Sequence, residues 1–155
     1  MAPVLRRLGR EEMDEAARIH RAAFDARLPW LAGRYGPDED RAFFRGPVFE
    51  ACEVWGAADP ALVGFIAFRA GWIDHLYVLP AQQGQGAGSA LLRVAQAAWP
   101  ALRLWTFARN LPARRFYERH GFVALEATDG SRNEEREPDV LYAWERPAAG
   151  APPAG

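Results

Sequence analysis

The stretch "WIDHLYVLPAQQGQGAGSALLRVAQAAW", Trp72 to Trp99, decides how the rest of the chain is read. "WIDHLYVL" is short, apolar and rich in β-formers, as a strand should be. "ALLRVAQAAW" places Leu91, Leu92, Val94, Ala95, Ala98 and Trp99 on one broad helical face, and Pro100 closes it. Between them Gly84, Gly86 and Gly88 alternate. Glycines without Cβ atoms let a backbone approach an anion closely, and a helix N-terminus offers unpaired N–H groups to it. The turn therefore reads either as a phosphate cradle or as a tight turn required by packing.

Two phosphate classes fit poorly. The chain contains no lysine at all, so a nucleotide-triphosphate loop with its essential lysine is excluded, as is Schiff-base chemistry. A dinucleotide fingerprint, counted from Gly84, would want Gly or Ala where Ser89 stands. It would also want an acidic residue about 20 positions on, where the chain reads "TFARN".

Working outward, "VLRRL" (4–8) predicts a first strand and "REEMDEAARIHRAAFDARL" a helix. Its apolar stripe is Met13, Ala16, Ala17, His20 and Phe24, and Glu11, Glu12, Asp14 and Glu15 favour its dipole. Pro37 with Asp38 and Glu39 starts a second short helix, expected to stop at Gly46–Pro47. "ACEVWGA" and "ALVGFIAFRAGWIDHLYVL" read as successive strands with turns at 58–60 and 70–71. After the glycine helix come a strand "LRLWTF", a helix "NLPARRFYERHGF", and strands "FVALEA" and "VLYAWE" around a polar loop. Asn110 caps that helix, Pro112 opens it and Gly121 ends it.

The order is β-α-α-β-β-β-α-β-α-β-β. The fold class expected is α/β, with a mixed, mostly antiparallel central sheet, one βαβ unit and helices on both faces. Residues 1–146 should form one domain, and 147–155, rich in Pro, Gly and Ala, a disordered tail.

With 155 residues, half of them hydrophobic and a quarter charged, the chain can bury a core without staples. A net charge of -1 and pI of about 6.3 argue against a nucleic-acid partner. A single cysteine, Cys52, excludes an internal disulfide and multi-cysteine metal sites, and it reads as a buried strand position. No signal peptide and no run of about 20 apolar residues is seen, so a cytoplasmic protein without a membrane partner is expected. The abundance of Ala, Arg, Gly and Pro suggests a GC-rich bacterial genome.

Two motifs together carry a resemblance. Gln83-Gly84-Gln85-Gly86-Ala87-Gly88 resembles the Q/R-x-x-G-x-G/A motif of the GNAT superfamily of N-acetyltransferases. "NLPARRFYERHGFV", Asn110 to Val123, resembles that family's second signature at the correct spacing. The resemblance spans roughly Val4 to Glu145 and implies a GNAT-like fold.

It also implies acetyl-CoA as acyl donor, without a metal. Its pyrophosphate would lie on Gln83, Gly84, Gln85, Gly86, Ala87, Gly88 and Ser89. Leu76 would polarise the thioester carbonyl through its main-chain N–H, at a bulge that splays the strand from its neighbour. Val78 would pair with the pantetheine amides, and Asn110 and Phe116 would line the same site. Tyr117, two helical turns after Asn110, would protonate the leaving thiolate.

In arylalkylamine members a proposed base maps onto Asp74. Strict alternation would put Trp72, Asp74 and Leu76 on one face and Ile73, His75 and Tyr77 on the other. The alternative for Asp74 is an ion pair with an arginine, and His75, His20 and His120 read as structural. Acceptor contacts are expected from Trp30, Tyr35, Trp72 and Glu135, an aromatic wall beside an acidic loop. The implied acceptor is a small amine or a peptide N-terminus, and a homodimer stays open. A non-catalytic acyl-CoA-binding or regulatory module, and an O-acyl or longer-acyl transferase, are the alternatives to N-acetyl transfer.

Overall fold

Seven strands in the order β1-β2-β3-β4-β5-β7-β6 form one sheet in the computed structural model, which describes residues 3–148. The strands are β1 (Val4–Arg7), β2 (Glu53–Ala58), β3 (Leu62–Arg69), β4 (Trp72–Val78), β5 (Ala101–Phe107), β6 (Val123–Thr128) and β7 (Asp139–Glu145). Every neighbouring pair is antiparallel except β4–β5, which is parallel because α4 (Ala87–Ala98) crosses between them. The mixed sheet, the βαβ unit and the element order are those expected. The predicted tail falls mostly outside the described residues, since 149–155 are not among them.

Helices cover both faces. On one, α1 (Met13–Arg27) buries Met13, Ala16, Ala17 and Ile19 against Phe65 and Ala67 of β3, with Phe44 and Val48 beside them. On the other, α4 buries Leu91, Leu92 and Ala95 against Ile66, Phe68, Ile73, Leu102 and Leu104. The helix α5 (Leu111–Arg119) adds Tyr117 to this second core, next to Phe122 and Tyr142. Gly64 makes the α4 face possible: a Cβ there would lie 2.9 Å from the Tyr77 carbonyl and 3.4 Å from Leu91.

The second helix does not stop where expected. After α2 (Pro37–Phe43) the chain continues through a π-turn, Phe44–Val48, into the short α3 (Phe49–Ala51). Pro47 has no N–H and would clash with a carbonyl of the preceding α-turn; a wider π-turn relieves that clash without ending the helical path. Cys52 follows α3 rather than lying inside a strand, and it is only partly buried.

Candidate active site

Two strands that separate create the cleft. β4 and β5 pair only at Trp72 and Arg103, where the Arg103 N–H donates to the Gly71 carbonyl at 2.9 Å. Beyond that point they diverge. The Leu79 N–H donates to Val63 of β3 at 2.8 Å, which fixes the phase of the antiparallel ladder. In such a ladder alternate residues turn both main-chain groups to the same neighbour. Tyr77 therefore faces β3 with its main chain, while Leu76 and Val78 turn theirs toward β5 across the gap. Gln83 Nε2 donates to the Val78 carbonyl at 2.9 Å, leaving the N–H groups of Leu76 and Val78 and the Leu76 carbonyl open to the cleft.

A bulge sets which side chains face where. Ala67 pairs with His75 but Phe68 pairs with Ile73, so Asp74 is the extra residue of β4. Alternation is broken at that point. Ile73 and Leu76 both pack toward the α4 core, whereas His75 and Tyr77 lie among Phe44 and His20 on the α1 face. Strict alternation had separated Ile73 from Leu76, and the bulge is the reason it fails. Asp74 is exposed and bound by Arg69, which donates from Nε at 2.7 Å and Nη2 at 3.1 Å. The Cys52 thiol donates to the same carboxylate at 3.4 Å, and burial pushes that thiol up to about 12. Asp74 thus stands in an ion pair at the cleft's edge.

The glycine turn closes one end. Gly84 (φ +79°) and Gly86 (φ +93°) adopt the left-handed conformation that favours glycine. A Cβ on either would meet nothing within 4 Å, so both present bare backbone to open space. Gly86 caps α4, and its carbonyl accepts from Ala90. The N–H groups of Ala87, Gly88 and Ser89 are left without helical acceptors, the usual anion-binding arrangement. The helix begins three residues earlier than its apolar run, so Gly88 is helical, and Phe116 lies 3.4 Å from where its Cβ would sit. Gln83, besides binding Val78, accepts from Arg27 at the end of α1.

From the opposite wall α5 delivers Tyr117. Asn110 caps this helix by accepting from the Ala113 N–H at 3.3 Å. Arg114 Nε donates to the Tyr142 hydroxyl at 3.0 Å, which itself donates to Glu118 at 2.7 Å, pinning the helix to β7. Tyr117 is 7% exposed and lines the cleft, and burial raises its hydroxyl pKa well above the ordinary value, with Tyr77 adding to the rise. It stays protonated through neutral pH.

The resulting cleft is about 640 Å³ and is lined by Leu76, Val78, Gln83, Gly84, Gly86, Gly88, Ser89, Asn110, Phe116 and Tyr117 together. Asp74 and Glu135 also line it. Gln85 and Ala87 instead face a smaller hollow behind the turn. Trp30, Tyr35 and Trp72 are not on the wall. Trp30 donates to Glu137 at 2.8 Å and Tyr35 bonds Glu134, both in the β6–β7 loop, and Trp72 stacks under Arg69. Aromatic character at 28–36 signals burial or contact but not its direction.

The end of the cleft away from the glycine turn is walled instead by Phe24, Phe107, Asn133 and Asp139. Phe24 is legible in the sequence both as part of the α1 stripe and among the aromatics offered for this pocket. Asp139 belongs to the acidic loop "RNEEREPD" that the sequence already offers for this pocket, whereas Asn133 is brought in only by the fold of that loop. Among the described residues no group of three His, Cys, Asp or Glu side chains could hold a metal ion. None of their helices is long and apolar enough to cross a membrane.

Residues 50–124 match the family model of an acetyltransferase (GNAT) domain. The peptidyl-lysine N-acetyltransferase YiaC of Escherichia coli (strain K12) is 29% identical over 92 residues, 59% of this chain. That match spans 61% of the relative's own length. The solution structure of apo-form YjaB from Escherichia coli superposes with a TM-score of 0.78 at 24% identity, over 95% of this chain and all of that one. The paia N-acetyltransferase from Thermoplasma acidophilum in complex with coenzyme A gives 0.70 at 21% identity, over 94% and 99% of the two chains. At these identities the two structures establish a shared fold.

Proposed function

The chain belongs to the GNAT superfamily of acetyltransferases, and from that premise we propose that it transfers the acetyl group of acetyl-CoA to a primary amine by direct attack in a ternary complex. The observation that carries this reading is the splay between β4 and β5. It leaves the Leu76 and Val78 N–H groups unpaired beside a glycine-built anion site and a buried, protonated tyrosine. The pieces fit the donor: bare backbone at Gly84 and Gly86 with the free N–H groups of α4 suits a pyrophosphate. The open strand edge suits the amides of a pantetheine arm.

Each step of acyl transfer then has a group. The Leu76 N–H donates to the thioester oxygen, where negative charge grows as nitrogen attacks. The C–N bond forms and the C–S bond breaks. Tyr117 gives its proton to the departing thiolate, and the nitrogen's surplus proton, carried by solvent, restores the tyrosine. Asp74 keeps its carboxylate on Arg69, so an ammonium that enters gives its proton to solvent and attacks as the free base.

Incubation with acetyl-CoA and a panel of primary amines, read by thiol release, tests the reading. Thiol is released, and the product withstands hydroxylamine, as an amide does and an ester does not. Tyr117→Phe lowers kcat about 100-fold while acetyl-CoA still binds. Acetyl-CoA binding without thiol release from any amine would mark a non-catalytic binding module instead, and an unchanged kcat in Tyr117→Phe would remove the tyrosine from the mechanism.

A further inference from the structure

The acceptor end of the cleft has a charge pattern of its own, and what it implies rests on the acetyl-transfer reading above. Five charged side chains line the cleft: Arg27, Asp74, Arg119, Glu135 and Asp139. Arg27 donates to Gln83 at the glycine turn, on the donor side, and the charge of Asp74 is met by Arg69. Arg119 ends α5, next to His120 and its 2.8 Å hydrogen bond with Ser89, on the donor side. Two carboxylates remain at the far end.

Asp139 accepts from Thr128 and from Asn133. Glu135 is half-buried, and its charge reaches Tyr77, whose hydroxyl it helps to raise. No salt bridge among the described residues engages Glu135. Beside these carboxylates the surface is aromatic. Phe24 packs edge-on to Phe107 at 6.1 Å, and His75 lies 6.1 Å from Tyr77. The His75 Nδ1 is buried without a hydrogen-bond partner. An apolar wall takes up a carbon skeleton, and a free carboxylate beside it attracts an ammonium and repels another carboxylate. Among the described residues no arginine lines that end of the cleft to receive an acidic group.

We propose that the acceptor is a primary amine on an apolar or aromatic carbon body with no carboxylate beside its nitrogen, and that Glu135 reads its ammonium on entry. Free amino acids are thereby rejected. A small arylalkyl amine and the amino terminus of a peptide share the accepted chemistry.

Four matched acceptors test this with the full chain and saturating acetyl-CoA: 2-phenylethylamine, L-phenylalanine, its amide, and a C-terminally amidated peptide beginning with Phe. The amide exceeds the amino acid in kcat/KM by about tenfold or more. The ratio of 2-phenylethylamine to the peptide tells which source is preferred. Glu135→Gln raises KM for the ammonium acceptors about tenfold, leaving kcat and the KM for acetyl-CoA nearly unchanged. Glu135→Arg narrows or reverses the preference for amide over amino acid. The proposal is overturned if L-phenylalanine matches its amide, or if both Glu135 variants keep the wild-type KM values. Thiol release from none of the four by the wild-type chain would instead bring down the acetyl-transfer reading, and this one with it.

Discussion

Two histidines beside the cleft show how much a single residue can depend on its surroundings. His20 of α1 and His75 of β4 sit 5.9 Å apart, packed by Phe24, Phe43, Phe44 and Tyr77. Burial lowers His20 to about 3, helped by His75 and Arg21 and opposed by Asp40. Burial likewise lowers His75 to about 4, opposed by Asp74. Both are neutral in the fold, yet near 6.5 in the unfolded chain, so unfolding takes up protons between those values. Stability is therefore full above about pH 6.5 and falls as pH drops toward the folded values, by about 1.4 kcal/mol per pH unit for each histidine. Urea denaturation at pH 7.5 and 5.0 should show this loss, and His75→Gln should lose less between the two. Equal losses in variant and wild type would exclude His75 as the source.

At the scale of elements, three features make the site: the glycine turn, the bulge and the capped α5. The turn and the cap were legible because their signals are local. Glycines at left-handed positions and an Asn-x-Pro start are dictated by backbone sterics within a few residues. Gly86→Ala forces a Cβ onto φ +93°, so the variant loses about 1 kcal/mol of stability. Because Gly86 also heads the free N–H groups of α4, coenzyme A affinity measured by calorimetry should fall about tenfold. Intact affinity would show that the anion lies elsewhere. The bulge was less legible. Its existence near Leu76 came with the family resemblance, but its seat at Asp74 depends on β3 and reversed the facing of Ile73 relative to Leu76.

Across the whole molecule, a clasp between distant segments fixes the loop that lines one end of the cleft. Glu137 is 3% exposed and accepts from Arg109 at 2.6 and 2.8 Å and from Trp30 at 2.8 Å. The Arg109 guanidinium in turn covers the Trp30 ring at 4.2 Å. Asn133 donates to the Glu137 carbonyl at 2.6 Å, so the same knot fixes the loop that carries Glu135. Glu137→Ala should lower Tm by about 5 °C and raise the acceptor KM, while the KM for acetyl-CoA holds. A fall in Tm with no change in acceptor KM would make the clasp purely structural.

Element order, the parallel β4–β5 pair, the glycine turn and the α5 helix with Tyr117 follow from the chain's local chemistry, because periodicity, caps and glycine positions act over a few residues. Which carboxylate stays free, which aromatics face the cleft and which knot a loop were settled by packing between segments up to 107 residues apart. Asp74 found Arg69, Trp30 found Glu137, and Glu135 was left facing the aromatic wall. Such pairings depend on the register of the sheet and the path of two loops, and no spacing within one segment encodes them.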